Sequence, residues 1–277
     1  MRKKNHLKVG FIGTGAISSI IAKEIESGKL GNIEIVAVFD TNLSFANILV
    51  NQLNSNPYIY SSIENLVNNE QIDLIIECAS QTAVEKNAEL VLKANKDILV
   101  MSSGALLNKN LYTRLEEISD KNNTRIYIPS GAVGAIDTIK SLKGMINQVT
   151  ITTIKNPISL IGSLGFKKWE DKGITEKKLI FKGNANEAIK LFPANVNIAA
   201  TISLSGIGPE NTKVLVYADP DSKINAHEVS IKSKAGNYKF LFENQPSKEN
   251  PKTSYLAILS AIQTIRRING NFIEIGS

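Results

Sequence analysis

Lys8-Val9-Gly10-Phe11-Ile12-Gly13-Thr14-Gly15-Ala16-Ile17-Ser18 decides the reading of this chain, together with Ile33 to Phe39 and the Asp40 that closes them. Lys8 to Ile12 reads as a short apolar strand. Ala16 to Glu26, ended by Gly28, reads as a helix, and Ile33 to Phe39 as a second, β-branched strand. Between strand and helix, Gly13 permits a tight turn and Gly15 lets the backbone approach a pyrophosphate. The free N–H groups of Ala16, Ile17 and the rest of the first helical turn then face that anion. Ser18 stands where a third glycine is usual, and it is small enough to keep helix and strand close. Asp40 falls where a carboxylate meets the adenosine ribose hydroxyls. No arginine follows it in Thr41-Asn42-Leu43. A carboxylate would repel a 2′-phosphate by at most a few kcal/mol at an effective dielectric of about 20. The expected cofactor is therefore NAD, with NADP use left open.

The same alternation continues outward. Phe45 to Leu53 and the capped segment after Ser62 read as helices. Ile72 to Glu77, Asp97 to Met101 and Arg125 to Ile128 read as strands, with helices over Ala83 to Lys93 and Leu111 to Asn122. Near-continuous apolar strands interleaved with helices predict an α/β, Rossmann-type, doubly wound parallel sheet. Ligands of such sheets bind beyond the carboxyl ends of the strands, which makes Ala79 and Ser80 candidate cofactor contacts. Past Gly134 the pattern changes. Strands over Val149 to Ile154, Leu179 to Phe181, Lys213 to Ala218, Ala226 to Lys232 and Tyr238 to Glu243 are no longer matched one for one by helices. Ala235-Gly236-Asn237 reads as a hairpin turn. The expected organisation is a dinucleotide-binding domain over 1–130 and a catalytic and oligomerisation α+β domain over 131–250, with a mixed or antiparallel sheet. A C-terminal helix in 251–277 is expected to pack back on the first domain.

Composition narrows the function. The chain has 277 residues, 43% of them hydrophobic and 21% charged, which excludes wholesale disorder. Its one cysteine, Cys78, excludes an internal disulfide and a cysteine-based zinc site, and no metal is expected. No apolar run approaches the length of a membrane span, and the basic N-terminus enters a strand rather than a signal-peptide core. A cytoplasmic protein is expected. The formal charge of +6 comes from lysines scattered along the chain, not from the basic stripe of a nucleic-acid footprint. A mild positive field suits an acidic small substrate.

A dehydrogenase acting on an amine or alcohol must move a proton along with the hydride. Of the two histidines, His6 lies in the charged N-terminal tail, which leaves His227 as the acid–base candidate. Glu228 faces the opposite side of a strand, so Asp219 and Asp137 are the alternatives for orienting the imidazole. Here the residues become specific. Four segments resemble L-aspartate dehydrogenases: Ile128-Pro129-Ser130-Gly131-Ala132-Val133-Gly134-Ala135-Ile136-Asp137, Phe192-Pro193-Ala194-Asn195-Val196-Asn197-Ile198-Ala199-Ala200-Thr201, the Asp219-Pro220 to Asn225-Ala226-His227-Glu228 stretch, and Glu249-Asn250-Pro251-Lys252-Thr253-Ser254-Tyr255. With the glycine loop they span nearly the whole chain in the family's order.

The resemblance implies oxidative deamination of L-aspartate to iminoaspartate, which hydrolyses to oxaloacetate and ammonia or feeds NAD synthesis. It implies that His227 is the active-site histidine. It also implies cofactor contacts at Ala132 and at Asn197 or Asn195, of which Asn197 is favoured, and a homodimer or higher homo-oligomer. Ser130, Gly131 and Thr201 are candidate substrate contacts. No single lysine is picked out to hold the two substrate carboxylates. The rivals are a two-domain reductase of another small acid and a non-catalytic NAD sensor.

Overall fold

The computed structural model describes residues 6–193, 197–250 and 253–270. These form two compact units. One holds the described residues up to Pro129 and from Ile258 onward, the other Ser130–Ala257.

The first unit runs β1 (Leu7–Ile12), α1 (Ala16–Glu26), β2 (Ile33–Phe39), α2 (Leu43–Val50), β3 (Tyr58–Tyr60), α3 (Ile63–Val67), β4 (Leu74–Glu77), α4 (Gln81–Lys93), β5 (Asp97–Val100), α5 (Lys109–Asn122) and β6 (Ile126–Tyr127). The sheet order is β3-β2-β1-β4-β5-β6, with every pairing parallel. Helices on both faces bury β4 entirely and β5 nearly so, and this is why they read as unbroken apolar runs. The strand order reverses between β1 and β4, where open sheets of this kind bind nucleotides. A short 3-10 helix, Ser103–Leu107, occupies what reads in the sequence as loop.

The second unit contains α6 (Ile136–Ser141), β7 (Ile146–Lys155), α7 (Lys167–Glu170), β8 (Lys178–Asn184), α8 (Ala185–Leu191), α9 (Asn197–Ser205), β9 (Thr212–Ala218), β10 (Asn225–Ser233) and β11 (Gly236–Asn244). Its sheet is mixed, in the order β11-β10-β7-β9-β8, with β7 and β9 parallel and the other pairs antiparallel. Alternation puts Val149, Ile151, Thr153 and Lys155 of β7 on the buried face, with Val214, Val216 and Ala218 of β9. Asn225, His227, Val229 and Ile231 of β10 lie on it too. Ser233 pairs with Gly236, so the β10–β11 loop is the two residues Lys234 and Ala235. That is one residue earlier than the sequence suggests, because a two-residue loop matches the strand twist and leaves Gly236 (φ +148°) to open β11.

The last helix, α10 (Tyr255–Ile268), belongs to the first unit from Ile258 onward. Ile258, Ala261, Ile262 and Ile265, at helical spacing, join the core built by Leu7, Val9, Ile21, Ile25 and Leu30. Asn269 Nδ2 donates to the Leu30 carbonyl at 3.1 Å, which ties the end of the helix down.

Candidate functional site

In the first unit the glycine loop is fixed by what it touches. Gly13 has φ +86°, and a Cβ there would come within 2.8 Å of Ala79 Cβ and 2.9 Å of Ala79 N. Only glycine fits this crossing of the β1 and β4 exits. Gly15 caps α1 without a side-chain hydrogen bond, and a Cβ there would meet open space. The first turn of α1 carries no acidic residue, so its N–H groups are available to an anion. Ser18 Oγ donates to the Gly13 carbonyl at 2.5 Å, which satisfies the hydroxyl that replaces the usual glycine. The loop fits a dinucleotide pyrophosphate.

Asp40 is set by the same loop. Its Oδ2 accepts from Thr14 N (2.8 Å) and Thr14 Oγ1 (2.9 Å), and its Oδ1 accepts from Asn42 N (2.8 Å). A carboxylate offers about four acceptor sites, so roughly one is left for a ribose hydroxyl. Ser80 caps α4 by accepting from Ala83 N at 3.2 Å and keeps its own proton to donate, while Ala79 is exposed beside Gly13. Between these exits lies a residue the sequence reading passed over. Glu77 is 1% exposed and accepts from Ala79 N, Met101 N, Ser102 N and Ser102 Oγ at 2.8–3.1 Å. Burial pushes its carboxyl above the usual range, against four donors that favour the carboxylate. It knits the ends of β4 and β5 together under the loop that carries Ala79 and Ser80.

In the second unit His227 is 1% exposed on the covered face of β10, opposite Thr153 of β7. Its Nδ1 lies 3.1 Å from Thr153 Oγ1, whereas Nε2 is buried with no hydrogen-bond partner among the described residues. Burial first, and the nearby Lys155 charge second, lower the imidazole from 6.5 to about 3, so it is neutral at ordinary pH. The orienting group is therefore a threonine hydroxyl. Of the carboxylates expected in that role, Asp219 accepts from Asp221 N at 3.1 Å and Asp137 is an exposed first-turn residue of α6. Glu228 points to the opposite face and pairs with Lys239 at 2.9 Å.

Asn225 and the Ser130-Gly131-Ala132 turn are tied to this end of the sheet. Asn225 lies two residues before His227 and pairs with Asn244 of β11, whose Nδ2 donates to the Ala132 carbonyl at 2.9 Å. That bond holds the Ser130-Gly131-Ala132 turn, with Gly131 at φ +74°, against the strands that carry the imidazole. Thr201 is buried in α9 and its hydroxyl donates to the Asn197 carbonyl at 3.1 Å, so towards a ligand it presents acceptor character. Asn197 opens α9 and is half-buried. Asn195 lies outside the described residues, as do Pro251 and Lys252 of the last family-like segment.

Comparison with known proteins matches two family models, one to each part of the chain. Residues 13–129 match the family model described as homoserine dehydrogenase, NAD binding domain, and residues 137–268 match aspartate dehydrogenase, C-terminal. The chain is 44% identical over 268 residues to an L-aspartate dehydrogenase of Methanosarcina barkeri, covering 95% of this chain and 97% of that one. It is 41% identical over 261 residues to an L-aspartate dehydrogenase of Methanocaldococcus jannaschii, covering 94% and 96%. The solved aspartate dehydrogenase of Thermotoga maritima superposes with a TM-score of 0.76 at 29% identity, over 97% of this chain and 99% of that one. At such identity over nearly its whole length, the chain belongs to the L-aspartate dehydrogenase family.

Proposed function

We propose that this chain oxidatively deaminates L-aspartate with NAD, giving iminoaspartate that hydrolyses to oxaloacetate and ammonia. The observation that carries the reading is a neutral, buried imidazole with a free Nε2, in a chain that matches aspartate dehydrogenases from end to end. NAD, when bound, supplies the hydride acceptor. Gly13, Gly15, Ala16 and Ile17 would hold its pyrophosphate and Asp40 its ribose, with Ala79, Ser80, Ala132 and Asn197 (or Asn195) along the rest. The Asp40 carboxylate disfavours a 2′-phosphate, so NAD is preferred over NADP.

His227 handles the proton. With its Nδ1–H donating to Thr153, Nε2 keeps a lone pair that takes the proton of the substrate ammonium. The freed nitrogen lone pair then drives hydride loss from Cα. Burial is the larger cause of the lowered imidazole, so substrate carboxylates that offset the Lys155 charge reverse the smaller part of that shift. Ser130, Gly131 and Thr201 line the substrate side. We further propose a cytoplasmic homodimer or larger homo-oligomer. In support, the face of the second sheet away from its helices leaves Leu241 60% exposed and Leu215 and Tyr217 half-exposed. No helix among the described residues is long and apolar enough to cross a membrane.

Following NADH absorbance while the protein meets NAD and a panel of amino acids tests the activity. Aspartate-specific NADH formation is the expected result. NAD binding without reduction would point to a sensor, and reduction with another substrate to a different small-acid dehydrogenase. The same assay with NADP, and light scattering of the purified protein, read cofactor preference and oligomer size.

A further inference from the structure

A dicarboxylic substrate needs cationic or N–H partners, and the chain offers 32 lysines and arginines. Among the described residues only two of these are buried, Lys96 and Lys155. Lys96 Nζ donates to the carbonyls of Asn69 and Ile72 in the first unit, at 2.7 and 2.8 Å, and so secures a turn. Lys155 is placed differently. It is the last residue of β7, 4% exposed, and in phase with Val149, Ile151 and Thr153 on the covered face.

The β7–β10 register pairs His227 with Thr153 and Ala226 with Ile154. Carried one residue further, it sets Asn225 opposite Lys155. Lys155, Thr153, Asn225 and His227 thus form one block at the end of the sheet, on one face. Two nitrogens of this block, His227 Nε2 and Asn225 Nδ2, are buried without a hydrogen-bond partner among the described residues. Folded proteins rarely leave two such groups unmatched side by side, and an amino-acid substrate satisfies both, its ammonium donating to the Nε2 lone pair and a carboxylate oxygen accepting from Asn225 Nδ2. A buried ammonium beside them adds the charge that selects an anionic ligand. Burial lowers Lys155 from 10.5 to about 8, which still leaves it largely cationic at neutral pH.

We propose that Lys155, with Asn225 Nδ2 beside it, binds a carboxylate of the substrate and so selects a dicarboxylic amino acid. The proposal rests on the aspartate-oxidising activity described above and adds its specificity-determining cation. Lys155→Met keeps most of the length of the side chain, removes the charge and leaves no ion in the core. The expected result is a rise in aspartate KM of about 10- to 100-fold, the range of a lost charge-assisted hydrogen bond. The inhibition constant of succinate, a dicarboxylate without the amine, should rise in parallel while the NAD dissociation constant stays put. Lys155→Arg should recover part of the loss. Unchanged aspartate KM and succinate inhibition in Lys155→Met would overturn the proposal. Should that variant fail to bind NAD, Asn225→Ala decides on the same two readouts, since its Nδ2 has no hydrogen-bond partner among the described residues to lose. If the wild-type chain itself fails to oxidise aspartate, the activity reading falls. Succinate calorimetry on wild type and Lys155→Met then still reads the lysine, with equal affinities counting against it.

Discussion

At the residue scale, the neutrality of His227 has a thermodynamic consequence. Water that would solvate an imidazolium is excluded, and Lys155 repels the added charge, so the folded-state value falls to about 3 against 6.5 in the open chain. Between those values the unfolded chain binds a proton that the native state refuses. Stability is therefore lost as pH falls from about 6.5 toward 3, at about 1.4 kcal/mol per pKa unit. Thermal melts of His227→Asn should show a flatter decline of Tm below pH 6.5 than wild type, and an equally steep decline would show that other groups govern acid unfolding. His227 is legible in the sequence because only two histidines exist and one lies in the N-terminal tail. Its partner Thr153 is not, since a threonine in a strand is unremarkable until a register puts it across from an imidazole. Lys155 hides among many lysines, although its phase with Val149 and Ile151 marks it as inward-facing.

At the scale of elements, the glycine loop gives the sharpest mechanical prediction. Gly13→Ala brings a methyl onto the backbone of Ala79 and forces an L-residue to hold φ +86°. Overpacking and left-handed strain together cost about 2–5 kcal/mol. Denaturant titration should show that loss, and NAD titration at least a tenfold weaker affinity. Wild-type values in both would mean that the close crossing of the β1 and β4 exits is not needed. The strand–helix alternation of the first unit is readable because each element is long enough to express its period, and α1 occupies the expected Ala16 to Glu26. The Ser103–Leu107 turn, α6 and α7 are too short to show one, and the parallel pairing of β7 with β9 depends on contacts distant in sequence. Glu77 escaped notice because a buried carboxylate at a strand end looks like a strand terminator until its four donors are seen.

At the scale of the whole molecule, the first unit completes its core only with α10, which follows the second unit's strands in sequence. Ile265 of α10 is fully buried among β1, α1 and β2 side chains. Ile265→Ala should destabilise the nucleotide-binding unit by about 2–5 kcal/mol, read by denaturant unfolding, and should leave aspartate KM unchanged under conditions where the protein stays folded. A shift below about 0.5 kcal/mol would detach α10 from that core. In the proposed reaction the two units divide the chemistry. One supplies the glycine loop, an open helix N-terminus and Asp40, and the other supplies the imidazole, Thr153 and the buried lysine. Proton transfer by His227 is read by assaying His227→Ala with saturating aspartate beside an NAD titration. Turnover lower by about 10²–10⁴-fold, with NAD affinity within a few-fold of wild type, is the predicted result. Full aspartate turnover by that variant would mean that another group moves the proton.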